Sequence, residues 1–174
     1  DDPLTLFDTC ELRKARSLLA SSTCMELNLT KPIEPEALGA RTHYISYTVL
    51  YHEDRIQACL YTSNGKIISQ RIKISVKTII KFAKRLDPAD WDKLWFGDQR
   101  TPQQALAPLM HPLEAALESG HINSGDHICV AADDPINLIP LQYLMVAGNV
   151  AVMYVSISRV LSFSDAKMLA CSKE

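Results

Sequence analysis

Histidine and cysteine supply the most reactive side chains of this sequence, which contains five of each. In their closest grouping, Cys129 follows shortly after His127, and His121 lies on the other side of a predicted turn. A zinc site needs three or four converging ligands, usually at short fixed spacings, and this spacing is not one of them. We therefore predict solvated or hydrogen-bonded histidines, no metal site and no cofactor site.

The adjacent carboxylates Asp133 and Asp134 are the second candidate for chemistry, because a pair of carboxyl groups can act as general acid and base. They follow a predicted buried strand and precede Pro135. At a strand end, Asp side chains more often hold a turn through hydrogen bonds to the backbone. We therefore predict a structural turn here and no catalytic residue in this chain.

The length of 174 residues suggests one domain or one large subdomain. The composition is that of an ordinary globular protein, since 47% of the residues are hydrophobic and 22% are charged. The net charge of −2 gives no basic excess, which argues against direct contact with nucleic acid. No apolar run approaches the ~20 residues that span a membrane. The scattered cysteines, without a Cys-x-x-Cys pair, favour free thiols in a reducing, cytoplasmic environment.

Residues 43–74 predict a three-stranded antiparallel meander. Hydrophobic and polar residues alternate along it, and Asn64-Gly65 is typical of a type I′ hairpin turn, in which both central residues need a positive φ. Ser75 is a typical N-cap residue for the helix that follows, which carries an apolar stripe. Another helix is predicted from Thr101 onwards, with Pro112 inside it, where proline should kink or divide the helix.

Two short and almost continuously apolar runs, residues 127–132 and 150–157, are typical of parallel strands that are covered on both faces. Between them, residues 138–146 predict a short helix or turn, and residues 159–171 predict a final helix. A meander that leads into alternating strands and helices favours an α/β fold. We expect one mixed sheet with an antiparallel N-terminal meander and helices on its faces.

The N-terminal region, residues 1–42, is predicted to contain a helix over residues 7–20 and a linker, followed by a domain at 43–174. The sequence leaves open whether that helix ends a preceding helical repeat or packs on the domain. It also leaves open whether residues 91–96, which include two tryptophans, bind a partner or pack on the sheet.

Residues 125–144 combine an apolar strand, an acidic turn and a leucine-rich run that contains a proline. This segment resembles the middle of a CHAT domain, the caspase-like protease domain often found after TPR repeats. The likeness extends over roughly residues 44–170, although Ile157-Ser158 stands where family members often have Pro-Ser. The resemblance implies a caspase-like fold and a structural or domain-docking motif. That motif consists of Asp133, Asp134, Pro135, Leu138, Pro140 and Leu144.

CHAT proteases use a His–Cys dyad, in which the thiolate attacks the scissile carbonyl and the histidine transfers the proton. In the family, the histidine ends one strand in a His-Gly motif and the cysteine ends the next strand. No His-Gly pair occurs in this sequence, and Leu169-Ala170-Cys171-Ser172 comes too early to be the cysteine motif. The resemblance therefore implies the non-catalytic front half of a CHAT-type cysteine protease, which is inactive alone.

The partners implied by this resemblance are the catalytic half of the same protease and either upstream helical repeats or an activating partner. The first residue, Asp1, is not methionine, which suggests a fragment or a processed chain. The alternative from a different class is a free-standing α/β protein-interaction module without protease activity. A small hydrolase that uses Cys171 is a third possibility, and it predicts preferential labelling of that thiol.

Overall fold

The computed structural model describes residues 38–84, 101–161 and 166 of the chain. The strands are β1 (Thr42–Leu50), β2 (Arg55–Tyr61), β3 (Ile67–Ile72), β4 (His127–Ala132), β5 (Met145–Val146), β6 (Asn149–Val150) and β7 (Ser156–Arg159). Within residues 38–84 and 101–161, the α-helices are α1 (Val76–Ala83), α2 (Thr101–Leu106) and α3 (His111–Glu118).

One mixed sheet of five strands, in the order β3-β2-β1-β4-β7, organises the described residues. The pairs β3–β2 and β2–β1 are antiparallel, as predicted for the meander, whereas β1–β4 and β4–β7 are parallel. Parallel neighbours need a crossover connection, and the one between β1 and β4 contains the three helices. The predicted α/β class and mixed sheet are therefore confirmed. The finer, caspase-like assignment stays a prediction.

The hairpin between β2 and β3 forms where it was predicted, but its turn is of a different type. Tyr61 and Ile67 are the last paired residues, so five residues connect the strands. Gly65 has a φ of 79°, whereas Asn64 is not among the residues with a positive φ. The type I′ prediction was therefore wrong. Because the hydroxyl of Thr62 accepts the Lys66 N–H at 3.1 Å, it closes a longer loop than the two-residue turn.

The first face of the sheet packs against the helices. It presents alternate, wholly buried residues of the central strands, which share one apolar cluster with the buried residues of α1, α2 and α3. The main contributors from the sheet are Ile45, Tyr47, Val49, Ile56, Ala58, Leu60, Ile128 and Val130.

The second face of the sheet is also buried, although it is more polar. Tyr44, Cys59 and Cys129 form a smaller cluster there with Leu38 and Ala166. Ser46, Thr48 and Gln57 are buried polar residues on the same side, since they alternate with the residues of the first face. The prediction that residues 127–132 form a strand covered on both faces is confirmed. Leu38, at the end of the predicted linker, packs into this cluster.

Sequence signals correctly predict the start of α1 and the division of the second helix. The Ser75 hydroxyl accepts the Lys77 N–H, and α1 begins at Val76, directly after Ser75, as the N-cap prediction requires. The second predicted helix is divided, as expected: a 3-10 turn at Ala107–Met110 separates α2 from α3. Pro108 and Pro112 each lie in the first turn of the element that begins there, where a missing N–H costs no hydrogen bond.

The predicted strand over residues 150–157 is wrong in its bounds. The first of these residues belongs to β6, which pairs with β5 in a separate two-stranded hairpin. A 3-10 turn at Ala151–Met153 follows, and β7 begins only at Ser156. The run is apolar apart from Ser156, so periodicity could not show that the chain turns inside it.

Several predictions fall outside the described residues. They concern the helix at 7–20, the aromatic segment 91–96, most of the helix at 159–171, and Cys171. Among the residues that are described, no helix is both long and apolar enough to cross a membrane.

Tyr47 provides a first test of the packing between the sheet and the helices. Its hydroxyl is buried and donates to the Leu109 carbonyl at 2.7 Å, and burial raises the pKa of Tyr47 despite the nearby positive charge of Arg159. Tyr47→Phe should lower the free energy of unfolding in urea by about 1–2 kcal/mol, because it leaves a buried carbonyl without its donor. In the matched control Tyr51→Phe, an exposed hydroxyl is removed from the Asp134 carbonyl, and the change should stay within about 0.5 kcal/mol. Equal effects would contradict this account.

Candidate functional site

The acidic turn after β4 is fastened to the end of β1. Asp133 donates its N–H to the Tyr47 carbonyl at 3.0 Å, and one of its carboxylate oxygens accepts the Val49 N–H at 3.0 Å. The Tyr51 hydroxyl donates to the Asp134 carbonyl at 2.5 Å. Asp133 therefore uses its backbone and its side chain to hold a turn. Because these hydrogen bonds are structural, the geometry does not support a role for Asp133 and Asp134 as a general acid and base.

The rest of the proposed docking motif divides into buried and exposed members. The Asp134–Pro135 peptide bond is cis, and the chain continues through two 3-10 turns at Ile136–Leu138 and Leu141–Tyr143. Pro135, Pro140 and Leu144 are buried, whereas the Leu138 side chain is 56% exposed. Leu138 is therefore the apolar member of the motif that a partner can reach.

The motif lies at the carboxyl end of the parallel strands. β1, β4 and β7 run in one direction, so their last residues meet at the same edge of the sheet. In open α/β sheets, ligands and reacting groups gather at this edge. Arg159, the last residue of β7, donates to the Ile139 carbonyl and so ties the third parallel strand to the same turn region.

Strand β7 presents one side of its backbone away from the sheet. The N–H of Ser156 donates to Asp126 at 3.0 Å and that of Val160 to Val130 at 2.9 Å, so alternate residues of β7 face β4. By the alternation of a strand, the N–H groups of Ile157 and Arg159 point to the opposite side. Among the described strands, β7 is the edge on the parallel side of the sheet.

His127 joins β4 to β7 through both of its ring nitrogens. Nδ1 lies 2.7 Å from the hydroxyl of Ser156 and Nε2 lies 2.9 Å from that of Ser158, which in turn contacts the Cys129 thiol at 3.7 Å. The prediction of a hydrogen-bonded histidine is confirmed for His127. The arrangement cross-links the edge strand on the second face of the sheet.

A buried Asp–His pair lies at the opposite, amino end of β1 and β4. The Asp126 carboxylate accepts hydrogen bonds from Arg41 Nε at 2.8 Å, from His43 Nε2 at 3.1 Å and from the Asn123 N–H at 2.8 Å. Ser63, in the β2–β3 turn, donates its N–H to His43 Nδ1 at 3.1 Å. Sequence reasoning missed this pair, because its members approach only when β1 and β4 are paired.

Burial and hydrogen bonding act on this pair in opposite directions. Burial lowers the pKa of His43, although the hydrogen bond and the charge of Asp126 partly offset it. Burial alone would raise the pKa of Asp126, but the Asn123 N–H, Arg41 and His43 outweigh it and hold the pKa below its usual range. At neutral pH the pair is therefore a neutral imidazole that donates to a carboxylate.

Comparison with known proteins gives no family for this chain: no protein-family model matches it, and no curated protein sequence matches it. Within the described ranges, no three His, Cys, Asp or Glu side chains are grouped so that they could hold a metal ion. The fold itself defines an α/β protein with a mixed sheet, and of its five described strands β7 is the edge on the parallel side. Its candidate functional surface consists of the outer side of β7 and the carboxyl-end turn that carries Leu138.

Proposed function

We propose that this chain is the non-catalytic front half of a CHAT-type cysteine protease domain and acts in the cytoplasm as a scaffold for a catalytic half that carries the His–Cys dyad. The observation that carries the proposal is the order in which the parallel strands are added. β1, β4 and β7 follow one another both along the chain and across the sheet. The next strand in this progression would pair with the outer side of β7.

The same strand order would also position the catalytic residues. In the family that the chain resembles, the catalytic histidine and cysteine each end a strand, so parallel strands beyond β7 would bring both to the carboxyl edge of the sheet. The acidic turn and Leu138 occupy that edge in this chain. This half would then fix the position and direction of the catalytic strands, and the reacting groups would come from its partner.

The outer N–H groups of β7 provide a test in the full-length gene product. Ile157→Pro removes one outward N–H while leaving the ladder to β4 intact, since Ser156 and Val160 make the inward bonds. We expect the variant to lose most of its labelling by a peptidyl acyloxymethyl ketone, a probe for cysteine proteases. The matched control Ile157→Ala loses the same apolar contacts but keeps the N–H, so it should retain most of the labelling.

Hydrogen exchange of the same product gives a readout that does not depend on activity. If a strand pairs with β7, the amides of Ile157 and Arg159 should exchange as slowly as those of Ser156 and Ser158. The proposal would be wrong if the outer amides exchanged freely or if the proline and alanine variants behaved alike. A gene product without a His–Cys pair would instead favour the free-standing interaction module.

A further inference from the structure

The tip of the β2–β3 hairpin meets the start of β1 and the loop between α3 and β4 at the amino end of the sheet. Two contacts cross this junction, and a histidine takes part in each. Ser63 donates its N–H to His43 Nδ1 at 3.1 Å, and Lys66 Nζ lies 2.5 Å from His121 Nε2. Both contacts are made by residues of the turn at 62–66.

The contact with His43 requires a neutral imidazole. A ring nitrogen that accepts a backbone N–H cannot carry a proton, so His43 Nδ1 is unprotonated. The other nitrogen, Nε2, then carries the proton and donates to the Asp126 carboxylate at 3.1 Å. His43 is therefore held in one tautomer by a donor on one side and an acceptor on the other.

The contact with His121 has the same requirement. The ammonium group of Lys66 has donors only, so a close approach to His121 Nε2 is attractive only when that nitrogen is an unprotonated acceptor. Protonation would place two positive charges side by side. One chemical event, uptake of a proton by imidazole, therefore converts both contacts across the junction from attractive to repulsive.

We propose that the turn at 62–66 is an acid-released latch, which protonation of His43 and His121 detaches from the start of β1 and from the loop between α3 and β4. The effector is the proton, because both contacts need an unprotonated ring nitrogen. This regulatory feature is independent of the proposed protease role, because it lies at the opposite end of the sheet from Leu138.

The charged neighbours of the two histidines confine the release to the turn at 62–66. Asp126 faces His43, and Arg41 faces Asp126 at 2.8 Å, so a protonated His43 would still be attracted to the carboxylate. The joint between β1 and β4 therefore holds while the bond to Ser63 is lost. On the His121 side, the charged group in contact is Lys66, which favours separation.

The direction of the pH dependence follows from the buried histidine. Because burial lowers the pKa of His43, the folded state binds this proton less readily than the unfolded chain does. The stabilisation from its neutral form is complete above the ordinary pKa of 6.5 and is lost as the pH falls below that value towards the folded pKa. The latch is thus closed at neutral pH and weakened in acid.

Amide hydrogen exchange of the full chain at pH 7.5 and at steps down to pH 4.5, expressed as protection factors, tests the proposal. The Ser63 amide reports the latch directly, and its protection should fall about tenfold, as expected for the loss of one hydrogen bond. The Gly65 amide, which donates to Thr62 within the turn at 2.9 Å, should lose less protection and serves as an internal reference.

Two variants and one spectroscopic measurement complete the test. His121→Gln keeps an acceptor for Lys66 but does not titrate, so the acid-induced change at Ser63 should be smaller than in the unmodified chain. His52→Gln, at an exposed histidine beyond the other end of β1, should leave it unchanged. The nitrogen chemical shifts of His43 should report an unprotonated Nδ1 at pH 7.5. The proposal would be overturned by pH-independent protection of Ser63, by equal behaviour of the His121 and His52 variants, or by a protonated Nδ1.

Discussion

Asp126→Ala should lower the free energy of unfolding by about 3 kcal/mol, the loss expected when one partner of a buried charged network is removed. Its carboxylate is almost wholly buried and accepts hydrogen bonds from Arg41, His43 and the Asn123 backbone. Without it, the buried imidazole N–H of His43 and the backbone N–H of Asn123 lose their acceptor. Urea unfolding at pH 7.5, followed by far-UV circular dichroism, measures the change.

Arg41→Ala is the matched control for the carboxylate. It removes one partner of Asp126, but its side chain is 66% exposed, so the loss should stay below about 1 kcal/mol. The decrease in the free energy of unfolding at acidic pH gives a second comparison. Because the pKa of Asp126 lies below its ordinary value of 3.8, its contribution is present above that pH and is lost as the pH falls through the folded pKa. In Asp126→Ala, the free energy of unfolding should therefore depend less on pH in this acidic range. Equal losses of stability in Asp126→Ala and Arg41→Ala would contradict the account.

Leu144→Ala should also be strongly destabilising, by about 2–5 kcal/mol, because it opens a cavity in a close-packed core. Leu144 is wholly buried in the cluster between the sheet and the helices, and its carbonyl accepts the Ala151 N–H at 2.8 Å. It belongs to the same proposed motif as Leu138, which is 56% exposed. Thermal and urea unfolding of the two alanine variants compare a structural member of the motif with an accessible one.

Leu138→Ala should change the free energy of unfolding by no more than about 0.5 kcal/mol, as is usual for exposed positions. If the proposed protease role is right, its effect should appear instead in the labelling of the full-length gene product by the cysteine-protease probe. A Leu138 variant that is as unstable as the Leu144 variant would show that both residues are core. A stable Leu138 variant with full activity would remove this residue from the docking surface.

The elements that the sequence predicts well are those whose signals are local. The meander follows from alternation over 43–74, and the start of α1 follows from the capping hydroxyl of Ser75. The division of the second helix follows from Pro112, since proline cannot donate within a helix. Each signal acts over a few residues, so the sequence alone contains the information.

The features that the sequence could not predict depend on distant contacts or on degenerate patterns. The His43–Asp126 pair requires the register of β1 against β4, which no local pattern specifies. The turn inside residues 150–157 was hidden because every position there is apolar or small, whether it lies in a strand or in a 3-10 turn. The β2–β3 turn is closed by hydrogen bonds between Thr62 and Lys66, which the Asn-Gly pattern does not reveal.

The parallel pairing of β1 and β4 has a consequence during synthesis on the ribosome. Arg41 and Asp126, which flank the start of this pair, are 85 residues apart, whereas the meander closes over short loops. β4 ends at Ala132, 60 residues after the meander ends at Ile72, and at roughly 5–20 residues per second the ribosome needs on the order of 3–12 s to add them. During that interval a nascent meander would expose the backbone of β1, the strand that later becomes central. A hydrophobic strand with an unpaired edge attracts other chains, so this is the stage at which the protein would most need a chaperone.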